Sequence, residues 1–241
     1  MKKILLVIPA YNEEKNILNV YNTIKKYNEN YKQKYDVIVI NDGSTDSTEE
    51  VLRRNKIPHI KLLNNLGIGG AVQTGYKYAY ENNYDIAVQF DGDNQHDINY
   101  VKDLVNSLSN NVNCVIGSRF ISKRNKFKST FLRRMGIKMI SFEIKLFTHT
   151  KITDPTSGFR AIDKKLIKYF SNDYPLEYPE PISNVVLLKN GFNVKEVPSK
   201  MKERKKGTSS IHTWKSLYYM VNVILSIFII SIRRKAKWVL T

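Results

Sequence analysis

The chain is poor in cysteine, and its acidic residues avoid two long stretches. One cysteine in 241 residues, Cys114, excludes a disulfide framework within the chain and suits a reducing compartment. Cys114 lies in the apolar run NCVIGS and reads as a small buried hydrophobe. No internal repeat and no low-complexity linker interrupt the sequence. A P-loop is missing too, because the glycines at 67, 69 and 70 lack both the Gly-Lys-Ser/Thr ending and a dinucleotide spacing. They read as a tight turn packed near a ligand. The opening MKKILLVIPAYNEE superficially resembles a signal peptide but reads better as a buried strand, since Asn12-Glu13-Glu14 stands where a small-residue cleavage site belongs. A buried first strand, with the catalytic part facing the cytoplasm, is the expectation.

The formal net charge is +17. Residues 119–145 carry +8 with Glu143 as their one acid, and residues 195–241 carry +9, so the rest of the chain is neutral. Charge gathered in this way points to anionic partners. At 42% hydrophobic and 25% charged, the chain is long enough for one large α/β domain with its own core.

Apolar runs at 3–10, 35–40, 59–63, 85–90 and 113–118 read as strands, most of them buried on both faces. Helical spacing fills the gaps, at 13–28, about 69–81 and about 98–109, with Asp46 as the cap of a helix between the second and third strands. This alternation predicts a mostly parallel, Rossmann-like twisted sheet covered by helices, with ligands beyond the carboxyl ends of its strands. Past residue 118 the pattern changes. A basic irregular stretch runs to about 136, DPTSGFRAI joins a turn to a short strand, and YPLEYPEP (174–181) reads as extended because of its prolines. A helix near 182–190, a strand at 192–198 and a last apolar helix follow.

Three polar motifs end three strands: PAYNEE, NDGSTD and DGDNQHD. In the last, Asp91, Asp93 and the amide of Gln95 are hard oxygen donors of the kind Mg²⁺ or Mn²⁺ takes while sharing a substrate diphosphate. His96 reads as a supporting residue rather than a ligand.

Taken in order, IPAYNEE, VIVINDGSTDST, NNLGIGGAVQTGY, FDGDNQHD, VIGSRF, DPTSGFRA and ERKKGTSS resemble glycosyltransferase family 2 over roughly residues 2–212. The branch they look most like is the polyprenyl-phosphate sugar synthases, such as dolichyl-phosphate mannose synthase and the bacterial undecaprenyl-phosphate glycosyltransferases. The resemblance implies a GT-A fold, a nucleotide-sugar donor, an inverting reaction, and Mg²⁺ or Mn²⁺. It implies nucleotide contacts from Pro9, Ala10, Tyr11, Glu13, Asp42 and Asp91, a metal site of Asp91, Asp93 and Gln95, and an acceptor-phosphate site of Arg119, Arg133, Arg204 and Ser209. Asp93, Asp154 and Arg119 are the residues expected to carry catalysis. UDP is favoured over GDP. Three positions depart from the family pattern: Asn41 stands where a second aspartate is usual, Ile68 where a lysine is, and Ile137 where some relatives place a serine.

A phosphate acceptor needs cations rather than a base, and the basic half supplies them. The alternative is a glycan hydroxyl acceptor with Asp154 as general base. A nucleic-acid partner is set aside, because it would explain neither the acidic strand end nor the apolar tail. That tail, LYYMVNVILSIFIISI, has 16 residues, short of the ~20 that cross a bilayer. A stripe of Lys215, Tyr219, Asn222, Ser226 and Arg233, end tryptophans at 214 and 238, and the cluster Arg233, Arg234, Lys235 and Lys237 suit a helix lying in the cytoplasmic leaflet. Residues 1–212 are therefore expected to form the catalytic domain and 213–241 a peripheral or monotopic membrane helix. Membrane lipid is an expected partner, and association with a second copy or a small membrane protein is left open.

Overall fold

The computed structural model describes residues 2–121, 131–201 and 213–232, without the side chains of 131–132 and 213–217. Arg204, Ser209, Trp238 and the 233–237 basic cluster lie outside the described residues, and so does the side chain of Trp214.

Strands β1 (Ile4–Ala10), β2 (Asp36–Asn41), β3 (His59–Lys61) and β4 (Ile86–Gln89) alternate with helices α1 (Ile17–Asn30), α2 (Thr48–Arg54) and α3 (Gly67–Glu81). A 3₁₀ turn at Ile98–Tyr100 and the short α4 (Val101–Ser107) lead to β5 (Cys114–Ser118). Then come α5 (Phe131–Thr148), β6 (Arg160–Asp163), α6 (Lys164–Asn172), α7 (Pro179–Lys189), β7 (Val194–Pro198) and α8 (Thr213–Ile232).

Among the described residues, one sheet runs in the order β3-β2-β1-β4-β6-β5-β7. Its pairings are parallel except at β6, which lies antiparallel between β4 and β5. Side chains alternate across a strand, so β1 serves two cores. Ile4, Leu6 and Ile8 pack with α1, and Leu5 and Val7 pack under α3. All seven β1 residues are buried, which is why its sequence is one unbroken apolar run. A Cβ on Gly75 would collide with Val7, so this glycine sets the approach of α3 to the sheet.

Three expectations need correction. The proline-rich stretch is not extended to its end, because α7 starts at Pro179. Prolines fit the first turn, where backbone N–H groups have no partner inside the helix. The basic stretch is not irregular to 136, because α5 begins at Phe131 and buries Ile137, Ile140 and Ile144 on one side. Helix α6 was not foreseen. Asp163 caps it by accepting from the Leu166 N–H at 2.9 Å, and Leu166, Ile167 and Phe170 are buried.

The last helix joins the body. Val223 and Ile227 of α8 are fully buried in the core beneath α5 and α7. Lys189 of α7 donates to the Ile230 carbonyl (2.9 Å) and the Ser231 carbonyl (2.5 Å), placing a cation at the negative end of α8. Of the polar stripe, Tyr219 and Asn222 face inward onto Tyr178, with rings 4.9 Å apart and a 3.4 Å bond from Asn222 Nδ2 to the Tyr178 hydroxyl. The outward face carries Tyr218, Val221, Leu225, Phe228, Ile229 and Ile232. Among the described residues, no helix is long and apolar enough to cross a membrane.

Candidate active site

The chain reverses its direction of sheet growth at β1, with β2 on one side and β4 on the other. The carboxyl ends of strands diverge at such a point and leave a crevice. A cavity of about 740 Å³ opens there. Pro9, Ala10, Tyr11 and Glu13 line it from β1, Asp42 from β2, and Asp91 and Asp93 from beyond β4. The structure thus brings together every residue expected at the nucleotide.

Local chemistry holds these loops. Asn12, at φ 56°, accepts from the Thr45 N–H at 2.8 Å and so ties the first strand end to the second. Asp42 is 3% exposed and accepts from the Leu66 N–H at 2.7 Å. Burial raises its carboxyl above the ordinary range, against the Leu66 and Gly67 amides. Asn41 explains its departure from the family pattern: its Nδ2 donates to Glu49 at 2.8 Å, and its Oδ1 accepts from the Ser44 N–H. An aspartate there would set one carboxylate against another. Of the three glycines, Gly67 borders the cavity, Gly69 makes room for the Leu176 backbone, and Gly70 for the Leu66 side chain. Ile68, 42% exposed, also lines the cavity.

The turn DGDNQHD closes through Asn94 at φ 62° and a 3.0 Å bond from the Gln95 N–H to Asp93 Oδ1. His96 is buried, stacks on Phe159 at 4.6 Å, and shares a 2.8 Å hydrogen bond with Asp91 Oδ2. Burial would raise the Asp91 carboxyl. The His96 ring, then Gln89 and Arg119, outweigh burial and hold it below the ordinary range. Among the described residues, no three His, Cys, Asp or Glu side chains gather as a closed metal cage. Two carboxylates and an amide oxygen fit an ion of the Mg²⁺ type, which keeps waters and shares substrate phosphates.

A second group, outside the lining of that cavity, centres on Arg119, whose charge also acts on Asp91. Arg119 follows β5 and is 6% exposed. Its Nε donates to Asp154 Oδ2 at 2.7 Å and its second guanidinium nitrogen to Oδ1 at 2.6 Å, while its backbone N–H also reaches Oδ2. Asp154 is fully buried, and Glu196 pins its turn through the Thr153 and Asp154 amides, each at 2.8 Å. Arg133, at the start of α5, stands close enough to feel both groups. Burial, then Arg119, pulls its pKa down, and Asp154 opposes them. Ile137, one turn along, is 6% exposed and packs inward.

Sequence reasoning missed a further set of residues. Arg160 of β6 is fully buried, donating to the Ser183 hydroxyl and the Ser157 carbonyl at 2.7 Å each. Gln89 lies opposite it in the ladder, and its Nε2 donates to Glu180 at 3.5 Å. The stretches DPTSGFRAI and YPLEYPEP contain Arg160 and Glu180, but they read only as a turn with a short strand and as extended chain.

The sequence pattern of Glycosyl transferase family 2 matches residues 5–170. The UDP-N-acetylglucosamine–dolichyl-phosphate N-acetylglucosaminyltransferase of Methanococcus voltae is 36% identical over 221 residues, covering 83% of this chain and 85% of its own. The dolichol-phosphate mannosyltransferase of Pyrococcus furiosus is 28% identical over 217 residues, 87% of this chain and 59% of its own. Among solved structures, glucosyl-3-phosphoglycerate synthase from Mycobacterium tuberculosis with UDP superposes at a TM-score of 0.67 with 18% identity, over 98% of this chain and 82% of that one. The same enzyme with Mn²⁺, UDP and glucosyl-3-phosphoglycerate gives 0.65 at 18% identity, with the same coverage. These structures carry the same fold.

Proposed function

The chain belongs to glycosyltransferase family 2, and from that premise we propose that it transfers a hexose or N-acetylhexosamine, with inversion, from a UDP-sugar to a polyprenyl phosphate. The observation that carries this reading is the Arg119–Asp154 pair. A sugar hydroxyl would need a general base, and the one expected, Asp154, has both oxygens held by the Arg119 guanidinium in a fully buried place. A phosphate monoester carries its own negative charge near neutral pH and needs cations instead.

In this reading Tyr11 and Asp42 hold the nucleoside, and Asp91, Asp93 and Gln95 hold the divalent ion. When bound, that ion would neutralise the leaving diphosphate as a Lewis acid. Asp154 orients Arg119, so that Arg119 and Arg133 draw the acceptor phosphate to the face of the anomeric carbon opposite the diphosphate. Arg204 and Ser209 are assigned to the same phosphate by sequence position.

The acceptor's long chain places the reaction at a lipid surface, on the cytoplasmic face where nucleotide sugars are made. Exposed Met135, Met139, Phe142 and Leu146 on α5, beside the outward apolar face of α8, suit that surface. The test incubates the full chain with Mg²⁺ or Mn²⁺, a panel of UDP- and GDP-sugars, and C55 or dolichyl phosphate, and reads products by mass spectrometry. A glycosyl phospholipid of inverted anomeric configuration is expected. Transfer only to a glycan hydroxyl, or none to lipid phosphate, overturns the reading.

A further inference from the structure

Beside Gln89, at the end of β4, stands one acidic group that no step above uses. Glu180 sits in the first turn of α7, half-buried, with Tyr178 as the N-cap at φ 48°, a left-handed conformation that a bulky residue adopts only under constraint. The Gln89 Nε2 donates to Glu180 Oε1 at 3.5 Å, and the same side chain helps to lower the Asp91 carboxyl. Glu180 is therefore one amide away from the carboxylate expected at the diphosphate. A Cβ on Gly158 would stand 2.6 Å from Gln89 Nε2 and 3.4 Å from Asp91 Oδ1, so this glycine leaves the Gln89 amide its place beside Asp91. The Glu180 backbone is fixed as well, because its carbonyl accepts from the Ser183 hydroxyl at 3.0 Å and from Arg160 at 3.4 Å.

Chemistry narrows what such a carboxylate can meet. A nucleoside diphosphate and a phosphate monoester offer acceptor oxygens and negative charge at this place, and a carboxylate repels both. The ribose and base carry donors too, but they belong at Tyr11 and Asp42; of the groups beyond the diphosphate, the hexose is the part that presents hydrogen-bond donors. Burial, opposed by Arg160, raises the Glu180 carboxyl, so a hydroxyl partner relieves it without bringing more charge. Tyr219 of α8 packs against Tyr178, the N-cap of α7, with ring centroids 4.9 Å apart, so α8 covers the turn that carries Glu180.

We propose that Glu180 is a specificity-determining residue whose carboxylate accepts hydrogen bonds from ring hydroxyls, or from an acylamino N–H, of the sugar being transferred. The assignment rests on the nucleotide-sugar reading above. Gln89 then acts as a spacer that fixes the distance from diphosphate to sugar.

Calorimetry with the full chain and Mn²⁺ tests it, using UDP, GDP, UDP-glucose, UDP-N-acetylglucosamine and GDP-mannose as probes. For whichever nucleotide sugar the wild type binds, Glu180→Ala is expected to weaken binding by about 10- to 100-fold, the range for a hydrogen bond to a charged group. Affinity for the bare nucleoside diphosphate stays within about twofold. Glu180→Gln keeps the shape, reports on the same ratio if the alanine variant melts early, and is expected to alter the ranking among sugars. Equal weakening of nucleotide and nucleotide sugar overturns the proposal, because Glu180 would then act through Asp91. Unchanged sugar-nucleotide affinity with lost turnover also overturns it, and makes Glu180 a proton acceptor. A wild type that binds none of the probes removes the underlying nucleotide-sugar reading, and this inference with it.

Discussion

The two sides of Asp91 are built by different means. On the nucleotide side, backbone turns at the ends of parallel strands shape the cavity, and hydrogen bonds such as Asn12 to Thr45 and Asp42 to Leu66 hold it. On the Arg119 side, side chains far apart in sequence meet: Arg119 with Asp154 as an ion pair, and the neutral Gln89 amide with Glu180. The first construction resists single changes, since each loop has several ties. The second concentrates its stability in a few buried ionic contacts, where losing one partner strands the other.

That difference yields its largest expected effect at Asp154. Replacing it with alanine leaves the Arg119 charge buried without its carboxylate, a loss of about 3–5 kcal/mol in folding stability. Urea unfolding measures this, and a change below about 1 kcal/mol would show that solvent reaches Arg119 and that the two sides are built alike. Next comes Asp93→Asn on the nucleotide side. Turnover should fall on the order of 10²-fold or more, and excess EDTA should inhibit the wild type. Melting temperature should hardly move, because Asp93 borders the open cavity. Full activity in EDTA with an unimpaired variant would break the assignment of this side to a metal.

The smallest effect sharpens the contrast on the outer surface. Glu143 of α5 lies in the groove between α5 and α8, and burial pushes its carboxyl up to about 7. Below the ordinary glutamate range it is protonated in both folded and unfolded chains and costs nothing. As pH rises from there through about 7, the unfolded chain loses its proton first, so the folded state loses stability. Glu143→Gln should therefore melt with the wild type at pH 4 and above it at pH 8, by about 1 kcal/mol after allowance for solvent screening. Equal curves at both pH values would mean that Lys138, on the rim of the same groove, already compensates the charge.

Legibility in the sequence divides along the same line. β1 is buried on both faces, so it reads as an apolar run, and the polar residues that end it fall at the crevice by topology alone. The strand-end motifs that contain Pro9, Asp42 and Asp91 were legible that way, and the roles expected of these residues came from the family resemblance. Gln89 and Glu180 are 91 positions apart, and their contact depends on β6 entering antiparallel beside β4, which no local period announces. Helix α6 was hidden for a related reason, since its nine residues follow the strand with no loop between. The start of α7 was hidden by prolines that break a helix anywhere but in its first turn. For Arg119 and Asp154 the residues were legible but their relation was not. Sequence made Asp154 a candidate base, whereas its geometry makes it the seat of a guanidinium.

Helix α8 carries Tyr219 on its inward side and Leu225, Phe228 and Ile232 on its outward side, along one rod of 20 residues, about 30 Å long. A rod that packs on the start of α7 and also forms the outer surface fixes the height of one above the other. If the outer face rests on lipid, the anomeric carbon stands at a set elevation over the headgroups. A polyprenyl phosphate then need raise only its phosphate and first carbons to that level, while the rest of its chain stays in the bilayer. Chain length beyond those carbons should thus matter little to the chemical step, and the helix serves the enzyme as a gauge of depth.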